Sequence, residues 1–207
     1  MAQQHEHRRD EIVAVAEELL LKHGIAGIKT DSIIKAAGIS KGGFFHHFKT
    51  IDDLIRSLFS RLMHEFNEGM TRAQANDSGG RGSFARAYII ASLRPGKTAE
   101  WQRTLELSRA WIQIALARPD LMQEILSDPN LLPDYYDLKM LAKREPETMG
   151  LNLVLLMLAA DGLWLNETLR IKAFKPVERE RVIAALLHLS TMDFSNVINK
   201  EKGKKSK

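Results

Sequence analysis

Residues 40–47 read Ser-Lys-Gly-Gly-Phe-Phe-His-His, and Lys49 follows two positions later. These residue types suit anion binding and base reading rather than bond-making chemistry. A hydroxyl at Ser40 and the free amides of a helix start can bind a phosphate. Gly42 and Gly43 have no side chains, so the backbone there can approach phosphates or base edges closely. Lys41 and Lys49 add positive charge at either end, and His46 and His47 can donate to phosphates or bases. Two glycines in one helix cost roughly 1 kcal/mol each against alanine. A purely structural helix has little reason to carry both; the alternative is that Gly42-Gly43 forms a loop.

A second constellation is apolar. Trp101, Leu105, Ser108, Trp111 and Ile112 fall on one broad helical face, and Trp164 and Met157 lie on a later helix that can meet them. Such a cluster reads either as core or as the wall of a pocket with few polar groups. Asp161 is the notable polar group, because eight apolar residues precede it. A lone buried carboxylate is expensive unless paired or hydrogen-bonded. It is either a hydrogen-bond partner for a neighbouring helix or a counter-charge for a cationic ligand beside the Trp111 and Trp164 ring faces.

Metalloprotease and phosphate-loop patterns are missing. The sequence contains no HExxH or phosphate-loop motif and no cysteine, which excludes disulfides and thiolate chemistry. His5-Glu6-His7 has close-spaced donors at a terminus expected to fray, so no metal role is assigned. Neither an enzyme nor a cofactor-dependent protein is expected.

The elements that must position these residues are helical. Arg8–His23 places Ile12, Val15, Ala16, Leu19 and Leu20 at helical spacing, with Gly24 as a stop. Thr30 is expected to cap a short helix carrying Ile33, Ile34 and Ala37. Gly38 can take a left-handed turn, and Ser40 can cap the next helix. Ile33, Ala37, Ile39, Phe44 and Phe48 would lock the two at a steep angle, which is a helix-turn-helix. Thr50 and Asp53 form a capping-box pattern before a helix with Leu54, Leu58, Leu62 and Phe66 on one stripe. Asn76–Gly82 reads as a linker, Ser83–Leu93 as a helix, Arg94-Pro95-Gly96 as a break and Trp101–Ala117 as a long helix. Pro119, Pro129, Pro146 and Pro176 mark further helix starts. The expectation is an all-α fold of about nine helices, without strands or repeats. It divides into a helix-turn-helix domain at 1–50 and a helical effector-binding and dimerisation domain at 51–199. Residues 51–75 form the connecting helix, and 200–207 a disordered basic tail.

Leu153–Ala160 is apolar without interruption. A helix apolar all round must be covered all round, and a partner chain is an economical second cover. Leu155, Leu158, Gly162 and Leu165 on this helix, with Val182, Ile183, Leu186 and Leu187 on the last, are the expected homodimer interface. Gly162 is read as permitting a close helix crossing.

Charge adds less than the pI near 9.3 suggests. The 207 residues hold 30 Lys and Arg against 26 Asp and Glu, a net of +4. The last eight carry five lysines and one glutamate, the whole excess, which leaves residues 1–199 balanced at 25 and 25. A DNA reading must therefore rest on local arrangement. No apolar run reaches a membrane span, and MAQQHEHRRDE is unlike a secretory signal, so a soluble, cytoplasmic protein without membrane contact is expected.

The stretch IVAVAEELLLKHGIAGIKTDSIIKAAGISKGGFFHHFKTIDDLIRSLF resembles the DNA-binding domain of TetR-family transcriptional regulators. The resemblance covers about a quarter of the chain. It implies three reading helices, a connecting fourth, a helical C-terminal domain that dimerises and holds a small-molecule effector, and a palindromic double-stranded operator. Under it Thr30 and Ser40 match phosphate-touching helix starts. Lys41, Gly42, Gly43, Phe44 and His46 match groove-facing positions, His47 lies in the same segment, and Lys49 matches a basic position. Phe45 stands where the family usually has a tyrosine, and Ile51 where a lysine is common, so two phosphate contacts are lost. These departures support the alternative of a helical small-molecule-binding or interaction dimer with a weakened reader.

Overall fold

The computed structural model describes residues 2–93, 99–129, 131, 137–144 and 150–192. The expected break at Arg94-Pro95-Gly96, the start at Pro146 and the lysine tail lie outside these residues. Among the described residues there are ten α-helices, one 3-10 turn and no strand. They are α1 (Ala2–His23), the turn Gly24–Gly27, α2 (Thr30–Ala37), α3 (Lys41–His47), α4 (Ile51–Ala75), α5 (Ser83–Leu93), α6 (Ala99–Ala117), α7 (Pro119–Leu126), α8 (Leu138–Arg144), α9 (Leu151–Thr168) and α10 (Pro176–Leu189).

The chain forms two compact units. The first comprises Met1–Glu65 and Gln102–Leu132, the second Phe66–Trp101 and Pro133–Lys207. The division falls inside α4 and α6 instead of at residue 50, and along α4 the apolar stripe changes partners part-way. Leu54, Ile55, Leu58 and Phe59 of α4 join the first core, while Met70 and Ala73 join the second.

In the first unit, α1 buries Ile12, Val13, Ala16 and Leu20, and Val15 and Leu19 are half-buried. They pack with Ile33, Phe44, Phe48, the first half of α4, Leu107 and Ile114 of α6, and Leu121 and Ile125 of α7. Gly38 sits at φ 61°, ψ 39°, the left-handed geometry that ends α2 with a backbone N–H to Ile34 O. Thr30 is not a cap: Lys29 holds the cap position without a side-chain bond, and Thr30 is the first helical residue. The Thr50–Asp53 box is complete, with bonds of 3.0 and 3.1 Å.

In the second unit, α5 is enclosed by α9 and α10, with α8 on α9. Its core holds Met70, Tyr88, Ile89, Leu93, Leu153, Leu156, Met157, Ala160, Leu163, Ile183 and Leu186. The Asn76–Gly82 linker is a built turn. Arg86 donates to both Asp77 carboxylate oxygens at 2.7 Å and to the Gly79 carbonyl. Gly82 lies at φ +76°, and a Cβ there would stand 1.9 Å from the Ser190 carbonyl oxygen. Arg179 ties α10 to Glu167 of α9 and to the Leu93 carbonyl. Pro119 and Pro176 open helices as expected. Pro129 does not: it lies in a turn, and Leu131 N–H donates to the Asp128 carbonyl. The helix Leu138–Arg144 was not expected, because its seven residues carry too short an apolar pattern to read.

Candidate nucleic-acid interface

Seven residues with two glycines do not make a stable helix alone. α3 is held from outside. Phe44 and Phe48 are 0% and 1% exposed and their rings pack 5.9 Å apart. Burying two such side chains is worth roughly 3–6 kcal/mol, against roughly 2 kcal/mol for the two glycines. The anchors therefore win, and the segment is helical, not a loop. At its start, Ser40 Oγ accepts from the Gly43 N–H at 3.0 Å. A Cβ on Gly43 would lie 3.3 Å from that oxygen, so Gly43 also serves the cap. Gly42 has no such internal reason, since its nearest neighbour would be 3.9 Å away.

The other face is open. Ser40, Lys41, Gly42, Phe45, His46 and Lys49 are exposed, Gly43 and His47 half-buried, and Thr30 half-buried at the start of α2. Phe44 is the correction: its ring is wholly in the core and cannot face a groove, so it positions α3 instead of reading DNA. Phe45 is 44% exposed, edge-on to Phe44 at 5.4 Å. Its ring is available at the surface with no hydroxyl on it.

α1 contributes residues that the sequence reading left unused. His5 packs against His46 and His47, and Arg9 lies 5.0 Å over the Phe48 ring and donates to Ser57 of α4. Burial, reinforced by His5, His46, Arg8 and Arg9, holds His47 below the ordinary imidazole range. Deeper in the unit, Glu17 of α1 is almost fully buried and takes Arg103 of α6 and Arg61 of α4. Arg118 pairs with Asp52 at 2.7 Å and Arg56 with Glu124. These pairs fasten α6 and α7 to the reading helices. The one sequence signal for Glu17 was its place beside Ala16 and Leu20 on an apolar face.

The proposed effector residues divide between the two units. Trp111, on α6, is in the first core, 5.1 Å edge-on to Phe59. Leu105 is buried, Ile112 half-buried, and Ser108 is 4% exposed with its hydroxyl on the Thr104 carbonyl at 2.8 Å. In the second unit Trp101 and Met157 are buried, Trp164 half-buried, and Asp161 Oδ1 accepts from Tyr88 OH at 2.8 Å. Asp161, half-buried, thus has a helix-to-helix hydrogen bond. A surface cleft of about 680 Å³ lies on the first unit, lined by Leu19, His23, Ser32 and Lys35 among others. None of the proposed effector residues lines it.

Of the proposed interface, Leu155, Leu158 and Leu165 are 60%, 54% and 41% exposed. Gly162 is also exposed, but a Cβ there would meet nothing within 4 Å, so it serves no close crossing within the chain. Val182 and Leu187 are half-buried. Ile183 and Leu186 are spent in the core of their own unit, 0% and 7% exposed, and leave no side chain for a partner. Among the described residues no helix is long and apolar enough to cross a membrane, and no group of three donors is placed to hold a metal ion.

Comparison with known proteins agrees with this geometry. The family model for bacterial regulatory proteins of the tetR family matches residues 12–58, and that for the tetracyclin repressor-like C-terminal domain matches 82–191. The HTH-type transcriptional regulator QacR of Staphylococcus aureus is 30% identical over 76 residues, 37% of this chain and 40% of QacR. AcrR of Shigella flexneri is 29% identical over 103 residues, 50% of this chain and 48% of AcrR. The matched segments thus span less than half the length of either relative. The crystal structure of the multidrug binding protein EbrR complexed with malachite green has the same fold, with TM-score 0.61, 22% identity, and coverage of 89% and 99% of the two chains.

Proposed function

The chain belongs to the TetR family of bacterial regulatory proteins, and on that footing we propose that it is a ligand-responsive, DNA-binding transcriptional regulator. It acts as a repressor, binds a palindromic operator as a homodimer, and is released by a small, largely apolar effector. One observation carries this reading: α3 is pinned through the buried Phe44 and Phe48 while Lys41, Gly42, Phe45 and His46 stay exposed on its other face and Lys49 is exposed just beyond its end. A helix anchored on one side only is free to enter a major groove.

Response to an effector follows from how α6 is fastened. Arg103 near its start and Arg118 just past its end bind it to α1 and α4, so a ligand that prefers one position of α6 biases the reader. A coupling of ~1–3 kcal/mol is typical of such systems. The exposed Leu155, Leu158 and Leu165 support dimerisation through the outer face of α9. Malachite green, the cationic dye bound by EbrR, is the effector class to try first. A cation would share the Asp161 carboxylate with Tyr88.

The test is selection of duplexes from a random-sequence library by the full chain, followed by footprinting. A regulator yields a discrete two-fold symmetric site with half-sites spaced by the dimer. Weak binding independent of sequence favours the competing reading, a small-molecule-binding dimer with a weakened reader, to which Phe45 and Ile51 point.

A further inference from the structure

The first turns of α1 bring a third imidazole to the two on α3. The His5 ring centroid lies 4.9 Å from that of His46 and 4.4 Å from that of His47, and His46 and His47 are 5.2 Å apart. His5 and His46 are exposed. His47 is half-buried, and its Nδ1 is shielded from solvent with no hydrogen-bond partner. The ring nitrogens do not converge on a metal position.

The surroundings are short of negative charge. The groups that act on His47 are His5, His46, Arg8 and Arg9, all imidazole or cationic. On α1, Glu11 is taken by Arg8 and lies 3.3 Å from His7, while Glu6 and Asp10 face solvent. From α4, Ser57 meets Arg9, Asp53 is committed to the Thr50 cap, and Asp52 to Arg118. Lys49 is exposed beyond the end of α3. Three imidazoles at this spacing beside two guanidinium groups repel one another when charged. A polyanion laid across them removes that penalty.

We propose that His5, His46 and His47 form a proton-gated phosphate-binding patch, so that the chain takes up protons as it binds DNA. This rests on the DNA-binding reading of α3 and adds to it a contact from α1 and a dependence on pH. The sign is fixed by the geometry. In the free protein burial, with the imidazoles and guanidinium groups around it, disfavours the charged form of His47. A phosphate favours the imidazolium. Affinity therefore rises as pH falls through the range around and below the ordinary imidazole value of about 6.5. The gain is at most tenfold per pH unit for each proton taken up.

The experiment uses the full chain and a fluorescent duplex selected from a random library at pH 8.0. Dissociation constants are measured by anisotropy from pH 5.8 to 8.0 at constant ionic strength. Histidine ring titrations are followed by NMR with and without the duplex. Expected are at least fivefold tighter binding at pH 6.0 than at 7.5 and upward shifts of the cluster's ring titrations on binding. The slope should be at least halved in His5→Gln, while His23→Gln, elsewhere on α1, keeps the full slope. Because His5 is exposed, His5→Gln keeps the test valid if His47→Gln fails to fold. Tight binding with a flat pH profile, or an unchanged slope in His5→Gln, overturns the patch and leaves the reader standing. No selectable duplex and no binding at any pH overturns both.

Discussion

Phe45→Tyr adds one hydroxyl to a ring that the fold already presents. The ring is 44% exposed and its neighbour Phe44 is fully buried, so α3 keeps its anchor and the added oxygen meets no core atom. Folding stability should stay within ~0.5 kcal/mol of the parent, as for other surface changes. On DNA the hydroxyl can donate to a phosphate oxygen. A net hydrogen bond is worth ~0.5–1.5 kcal/mol. With two readers per dimer the gain is ~1–3 kcal/mol, or roughly 5- to 150-fold in Kd. Titration by anisotropy against a selected duplex, with a parallel thermal melt, measures both numbers. The salt series separates mechanisms. Tyrosine adds no charge, so the slope of log Kd against log salt should not change, whereas Phe45→Lys should steepen it by ~0.9 for each reader. Equal or weaker binding by a normally folded Phe45→Tyr protein would refute the claim that this ring faces a phosphate.

Other consequences are open to measurement. With ~6–10 phosphates neutralised per dimer, wild-type affinity should drop ~10³–10⁵-fold between 50 and 200 mM salt; a drop under tenfold contradicts a phosphate-dominated interface. Gly82→Ala should cost at least ~3 kcal/mol in urea unfolding, because left-handed backbone costs an alanine ~1–2 kcal/mol and the Ser190 carbonyl must also move. Asp77, with Arg86 on both oxygens and only 8% of its side chain exposed, is held far below the ordinary aspartate range. Its contribution is present above about pH 4 and lost as pH falls further; Asp77→Asn should remove ~2–4 kcal/mol at pH 7 and flatten the acid limb of the stability profile. Tyr88→Phe should lower the melting temperature, since it removes the donor of the Tyr88–Asp161 hydrogen bond, and Asp161→Asn should lower it less, because the amide oxygen can still accept from the Tyr88 hydroxyl. A selective loss of cationic-dye binding in Asp161→Asn alone would instead mark it as a ligand counter-charge.

The sequence by itself determined what depends on neighbours a few positions apart. The Gly38 turn, the Ser40 cap, the Thr50–Asp53 box and the proline starts at 119 and 176 are local chemistry, and each stands where its residue type requires. The reader was legible for the same reason: its anchors and its exposed groups lie within twenty residues. Only the tertiary structure decided which apolar side chains were already spent. Periodicity marks a face as apolar but does not say whether its own chain covers it. Ile183 and Leu186 therefore looked like interface and are core, Phe44 looked like a groove contact and is an anchor, and Trp111 sits in the core of the reading unit. Contacts between distant segments were likewise out of reach. Glu17 meets Arg103 across 86 positions, and His5 meets His46 across some forty, because the packing of α1 on α3, α4 and α6 brings them together.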